Sequence, residues 1–253
     1  MRTAGVDLAA ESKGTALAII EWSASGARLR ELHVGVDDEQ IVAAAPNVDK
    51  LGIDCAFGWP DEFVSFVTAH SAGSPNPSGP EGGRAWRRTL AFRETDRVVH
   101  ARTGRWPLSV STDRLGLTAM RCAGLLARLN ANGTTVDRAG FGTVVEVYPG
   151  ASLRLWGFST TGYRTDPASR ERLVREIRGA TPWLDIGDFT AQMIASADAL
   201  DAVVAALAAR SAYLGRYEPP PEALLDRARR EGWIALPDGA VADLVRNDRD
   251  GEG

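Results

Sequence analysis

The stretch Gly5-Val6-Asp7-Leu8-Ala9-Ala10 constrains this chain more than any other. It reads as a short buried strand, Ala4–Leu8, that carries one carboxylate, Asp7, to its C-terminal end. An ionised Asp inside a buried strand is costly unless it is paired, hydrogen-bonded or bound to a metal. Taken alone, Asp7 can also cap a tight turn. What tips the balance is that the chain brings more acids to similar settings later.

Gly14-Thr15 opens a second apolar run, Thr15–Trp22, and Leu29–Val36 is a third, with Ser23-Ala24-Ser25-Gly26 as the turn between them. This pattern predicts three strands in an antiparallel meander. Asp37-Asp38 caps a helix over Glu39–Ala45, and Leu51-Gly52-Ile53-Asp54-Cys55-Ala56 follows as a buried strand with a second acid near its end. Strand, helix, strand after a meander makes this fourth strand parallel to the first. Thr143-Val144-Val145-Glu146-Val147-Tyr148-Pro149 is a fifth strand, and an edge or a site explains its Glu146 better than a core does. The expected architecture is therefore α/β, with a mixed five-stranded sheet and flanking helices.

The helices read as Asp61–His70 behind Pro60, Asp113–Leu129 with Thr112 as its cap, Ala168–Gly179, Asp198–Leu214 and Glu222–Arg230. Glu231–Pro237 reads as a terminal strand, and residues 246–253 as a flexible tail. Ser71–Gly83 is a loop rich in Gly, Pro and Ser, long enough for a flap or an insert boundary. It leads into an Arg-rich stretch, so that about 71–112 forms an insert in a single domain of residues 1–245.

At 253 residues the chain can bury a sizeable core without staples. No apolar run approaches the ~18–20 residues of a membrane span, and no charged-then-apolar leader precedes the first strand. Cys55 and Cys122 lack metal-ligand spacing and read as small buried residues in a reducing cytoplasm. The net charge of −4 argues against tight non-specific binding of nucleic acid by the whole surface. The charge is uneven, however. Between Arg84 and Arg105 seven arginines face only Glu94 and Asp96, a local balance of +5 that leaves about −9 for the remainder.

Asp7 and Asp54 end two neighbouring strands, which lie about 4.8 Å apart in any sheet. The crevice at the carboxyl ends of such strands is the usual ligand site of a doubly wound fold. Asp198 and Asp201 sit three apart at a helix start that can pack over this end, and Glu146 is a fifth candidate. Clustered carboxylates without His or Cys suit Mg2+ or Mn2+, and two such ions would serve a phosphodiester displacement. The alternatives are structural: Asp198 as a helix-start acid, Asp201 as a solvated one, Asp54 as the cap of the Phe57-Gly58 turn.

Gly-Val-Asp-Leu-Ala, Gly14-Thr15 and Gly52-Ile53-Asp54-Cys55-Ala56-Phe57-Gly58-Trp59-Pro60 resemble the predicted RNase H-like nucleases long filed as a domain of unknown function. Phe92-Arg93-Glu94-Thr95-Asp96-Arg97, Glu146-Val147-Tyr148-Pro149, Leu153-Arg154-Leu155-Trp156-Gly157, Asp198-Ala199-Leu200-Asp201-Ala202 and Glu231-Gly232-Trp233-Ile234 follow in family order and cover nearly the whole chain. The Asp-x-x-Asp-Ala helix is similar to the end of the active site in RuvC-type junction resolvases. The resemblance implies an RNase H-like fold and a catalytic set of Asp7, Asp54, Asp198 and Asp201, with Glu146 as a further acid and Asp7, Asp54 and Asp201 as metal ligands. Two departures stand out. Asp54 takes the place of a Glu in the resolvases, and Arg164 in Gly162-Tyr163-Arg164 stands where a Lys is expected.

Under this reading Arg84, Arg87, Arg88, Arg93 and Arg97 contact the phosphates of a nucleic acid, and Trp86 or Trp106 stacks on a base. The simpler alternative pairs these arginines with the acids of the remainder, as Arg93 and Asp96 can pair with each other. His33, His70 and His100 show no ligand or triad spacing, and Ser109 and Ser111 have no base partner. Two other functions fit the same residues: an actin-like ATP-binding phosphotransferase, suggested by Asp7 followed by Gly14-Thr15, and a non-catalytic binding protein that keeps the fold. DNA and RNA, endo and exo action, and oligomeric state all stay open at this level.

Overall fold

The computed structural model describes residues 1–74 and 82–245 of the chain. The expected tail, 246–253, and residues 75–81 of the expected loop lie outside the described residues. The strands are β1 (Arg2–Asp7), β2 (Ala16–Trp22), β3 (Ala27–Val34), β4 (Lys50–Asp54), β5 (Val144–Glu146) and β6 (Leu184–Asp185). The helices are α1 (Asp38–Ala44), α2 (Asp61–Ser71), α3 (Arg84–Ala91), α4 (Glu94–Thr103), α5 (Gly116–Ala131), α6 (Pro149–Leu155), α7 (Pro167–Ala180), α8 (Thr190–Ala195), α9 (Ala197–Tyr213) and α10 (Leu225–Glu231).

One sheet runs in the order β5-β4-β1-β2-β3-β6. β1, β2 and β3 form the antiparallel meander, closed by the turn in which Ser23 donates from its amide and hydroxyl to the Gly26 carbonyl. β4 runs parallel to β1, and β5 parallel to β4. The expected count of five strands is corrected by β6, which pairs parallel with β3 at Ala27↔Leu184 and Arg28↔Asp185. Two residues are too few to display the period-two alternation by which a strand is read from sequence.

Three other expectations shift. Glu231–Pro237 makes only single bridges, Glu146↔Ile234 and Tyr217↔Pro237, because Gly232 at φ 87° turns the chain and Pro237 lacks a donor. Thr112 does not cap a helix: Ser109 and Asp113 close a turn around it, and α5 begins at Gly116. The first turn of the helix expected at Glu222 is a 3-10 turn, Glu222–Leu224.

The sheet buries both faces. Val6, Leu17, Ile19, Leu51 and Ile53 point to α1 and α5, against Ile41, Cys122, Leu125 and Leu129. The alternate residues point to α9, whose positions 199–212 are all buried. Glycine makes that packing possible. Gly5 and Gly52 are partners in the β1–β4 register. A Cβ on Gly5 would lie 2.1 Å from the Ala202 carbonyl oxygen and the Ala206 amide, and one on Gly52 would lie 2.8 Å from the Ala205 carbonyl oxygen. An alanine-faced helix thus lies directly on two bare strands. Ser196 caps the start of α9, its hydroxyl accepting from the Ala199 amide.

Candidate functional site

Asp7 and Asp54 are register partners at the carboxyl ends of β1 and β4. Each stands two residues beyond the glycine that seats α9, so both point to the same face as that helix. The start of α9 brings Asp198 and Asp201 over them. Asp201 is fully buried, Asp7 nearly so, and Asp198 is partly exposed. The four acids expected to meet do meet.

What joins them is Arg164, which stands where the resemblance leads one to expect a Lys. Its guanidinium lies 3.7 Å from Asp7 Oδ2 and 3.5 Å from Asp198 Oδ1, and pairs closely with Asp201 Oδ2. Tyr163 donates its hydroxyl to the other oxygen of Asp201 at 2.9 Å. Both side chains come from the loop between α6 and α7. Gly162 turns that loop at φ 73°, and buried Arg170 clamps it, donating to the carbonyls of Tyr163, Ile194 and Ala195. Among the described residues the Asp7 carboxylate has only the 3.7 Å ion pair with Arg164, and no side-chain hydrogen bond reaches Asp54.

Four carboxylates around one guanidinium leave a deficit of positive charge. Burial, with Asp54 and Asp201 close by, raises the Asp7 carboxyl well above the ordinary Asp range. Burial, reinforced by Asp201, pushes Asp54 up to about 8. Burial raises Asp201 to about 6 even though Arg164 and Tyr163 work against it. Among the described residues, no three His, Cys, Asp or Glu side chains are disposed around one cation position. By chemistry the donor set nevertheless fits a hard cation: the ligands are all oxygens, two of them without hydrogen bonds, and their charge is not balanced.

Glu146 lines the same end of the sheet but from the other strand face. It pairs in register with Ile53, which turns its side chain to the opposite face from Asp54. There Arg93 takes it in a bidentate pair at 2.9 and 2.7 Å, and the Phe57 amide donates to it at 3.0 Å. Burial raises the Glu146 carboxyl, with Arg93 opposing. Arg93 is itself buried and also binds Asp96 through Nε and Nη2 and the Glu231 carbonyl through Nη1. Arg93 therefore has no free donor for a phosphate, and its partners include the simple i,i+3 pairing with Asp96. Arg97 pairs with Glu94 at 2.7 Å. Arg88 lies 4.7 Å over the Trp106 ring, which also packs on Phe92 and His100. Trp86 packs edge-on against Phe66. Arg84 and Arg87 are exposed on α3.

The hydroxyl of Thr15 receives the Arg121 guanidinium and the Ala9 amide and donates to the Glu11 carbonyl, so it is spent on holding the loop after β1. Glu231, also missed as a cap, accepts from the Asp61 and Glu94 amides at the starts of α2 and α4. Cys55 and Cys122 are buried and free.

Asp7, Asp54 and Asp198 line a cavity of about 650 Å3 at the carboxyl end of the sheet. Arg93, Arg154 and Arg164 reach it, and Pro107, Leu108 and Leu115 add an apolar side. No helix among the described residues is long and apolar enough to cross a membrane. No curated protein and no solved structure matches the chain. Residues 5–224, from β1 through the acids of α9, match the family model described as Protein of unknown function (DUF429). With most of its length inside that match, the chain belongs to the DUF429 family.

Proposed function

We propose that the chain is an RNase H-like, metal-dependent nuclease that hydrolyses phosphodiester bonds in DNA or RNA. The observation that carries this reading is the convergence of Asp7, Asp54, Asp198 and Asp201 at one sheet end with a single guanidinium between them. The meander β1–β3 followed by parallel β4 and β5 supports the fold assignment.

Asp7, Asp54 and Asp201 would hold Mg2+ or Mn2+. Such an ion, when bound, supplies positive charge to the attacking and leaving oxygens of the scissile phosphate. The protein's own contribution is positional. Gly5 and Gly52 let α9 approach, so that Asp201 is set against Asp7 and Asp54. Tyr163 orients Asp201, and Arg164 holds the carboxylates together by charge. Cation binding is expected to release the protons that burial keeps on Asp7 and Asp54.

The test is cleavage of labelled DNA, RNA and branched substrates in Mn2+ by the wild-type chain and by Asp7→Asn. The expected outcome is cleavage that Asp7→Asn reduces by at least about a hundredfold, as for loss of a group that stabilises transition-state charge. Undiminished cleavage by Asp7→Asn removes this site. One observation favours a non-catalytic protein instead: Arg164 already pairs with three of the four acids. That reading gains if Mn2+ fails to raise the melting temperature.

A further inference from the structure

Three arginines reach the cavity, and two of them have acidic partners. Arg93 has its donors taken by Glu146, Asp96 and the Glu231 carbonyl, and Arg164 forms ion pairs with Asp7, Asp198 and Asp201. Arg154, in the last turn of α6, is different. Its Nη1 is buried, yet it has no hydrogen-bond partner among the described residues. Arg cannot shed its proton to escape that cost, and buried donors are nearly always satisfied. Arg154 also lines the cavity without an ion pair among the described residues, so the rest of its guanidinium is open to an anion from outside the chain, and its planar fork matches a phosphate.

The cavity sets the size of that anion. Its volume of about 650 Å3 falls within the ~300–1,000 Å3 of pockets that enclose a single small molecule. Pro107, Leu108 and Leu115 supply an apolar wall, and Leu108 is 60 % exposed there although it is a large hydrophobic side chain.

We infer that the cavity binds one nucleoside phosphate unit, its phosphate on Arg154 and its base against the Pro107–Leu108–Leu115 wall. The unit is a free nucleotide or the end nucleotide of a single strand. This inference deepens the nuclease reading and rests on it for the chemistry that follows binding; the binding itself depends on Arg154 and the cavity alone.

Calorimetric titration of the full chain, in EDTA and again in Ca2+, with inorganic phosphate, a nucleoside monophosphate and the parent nucleoside tests it. In at least one medium the monophosphate is expected to bind at least about tenfold tighter than the nucleoside, the size of one charge-assisted hydrogen-bonded contact. Arg154→Gln is expected to erase that difference while melting within a few degrees of wild type, and Arg154→Lys to restore part of it. Equal binding of monophosphate and nucleoside in both media overturns the proposal, and so does unchanged selectivity in Arg154→Gln. The nucleoside comparison needs no variant, so it decides even if Arg154→Gln fails to fold. Displacement of the monophosphate by a linear single strand but not by its closed circle assigns the strand end as the ligand. Displacement by neither assigns the free nucleotide, and equal displacement by the closed circle overturns the one-unit site. Persistent cleavage by Asp7→Asn removes the nuclease reading without altering any of these titrations.

Discussion

Two arginine-centred acid clusters lie at the carboxyl end of the same sheet, on opposite faces of it. Around Arg93 the charges and donors are closed: Nε, Nη1 and Nη2 all donate, to Asp96, Glu146 and the Glu231 carbonyl, and the cluster is almost fully buried. Around Arg164 they are open: three of the four carboxylates pair with one guanidinium whose side chain is 51 % exposed, and the carboxylates of Asp7 and Asp54 accept no hydrogen bond from the described residues. The first arrangement has the features of a structural joint, tying α4 to β5 and to the end of α10. The second has the features of a site, because its imbalance is relieved only by something that binds.

The largest expected effect tests the closed cluster. Arg93→Met leaves Glu146 and Asp96 buried without their cation, and truncating one side of a buried pair costs about 3–5 kcal/mol. Urea denaturation followed by far-UV circular dichroism measures it. A loss below about 1 kcal/mol, the worth of an exposed pair, would remove the contrast between the clusters.

A smaller effect is expected at the open cluster. Arg164→Gln removes a half-exposed guanidinium, so solvent screening limits the cost to about 1 kcal/mol, or about 2–4 °C in melting temperature for a chain of this size. The same variant is expected to gain more melting temperature from Mn2+ than the wild type, because no built-in cation competes for Asp7 and Asp201. Scanning fluorimetry with and without Mn2+ measures both. If Arg164→Gln is as damaging as Arg93→Met and indifferent to Mn2+, the open cluster is a second structural joint.

Much of this arrangement was legible in the sequence. The strand ends at Asp7 and Asp54 and the helix start at Asp198 and Asp201 are local signals, since burial, period and capping act over a few residues. Strand order brings Asp7 and Asp54 together, and Asp198 and Asp201 join them only through the packing of α9 on that face. Glu146 lines the cavity with a partner that lies outside its own strand: an acid inside Val-Val-Glu-Val signals an unusual partner, and that partner, Arg93, lies 53 residues away. The acidic i,i+3 neighbour of Arg93 was visible, but its burial was not. The loop of Tyr163 and Arg164 is irregular, so no periodicity marks its aim at Asp201. One available signal went unread: Gly5-Val6-Asp7 and Gly52-Ile53-Asp54 repeat a glycine two residues before the acid, and those glycines place α9.

The last expected effect is a pH dependence, and it separates the clusters by variant. The Asp54 carboxyl stands at about 8 in the folded chain because burial and Asp201 disfavour its charge, against about 3.9 in an unfolded chain. Between those values the folded form holds a proton that the unfolded form has released. Stability in metal-free buffer therefore falls as pH rises from about 4 to about 8, then levels off. Burial shifts Asp7 in the same sense, and Glu146 as well, so the wild-type slope alone does not identify the source. Asp54→Asn does, because it removes one titrating group from the open cluster and leaves the Arg93 cluster whole. Melting temperature in EDTA at half-unit pH steps is expected to fall less steeply in Asp54→Asn than in wild type, and Mn2+ is expected to flatten the wild-type curve at the high-pH end. A wild-type curve that rises through this window, or an Asp54→Asn curve parallel to it, would place the charge imbalance somewhere other than the carboxyl ends of β1 and β4.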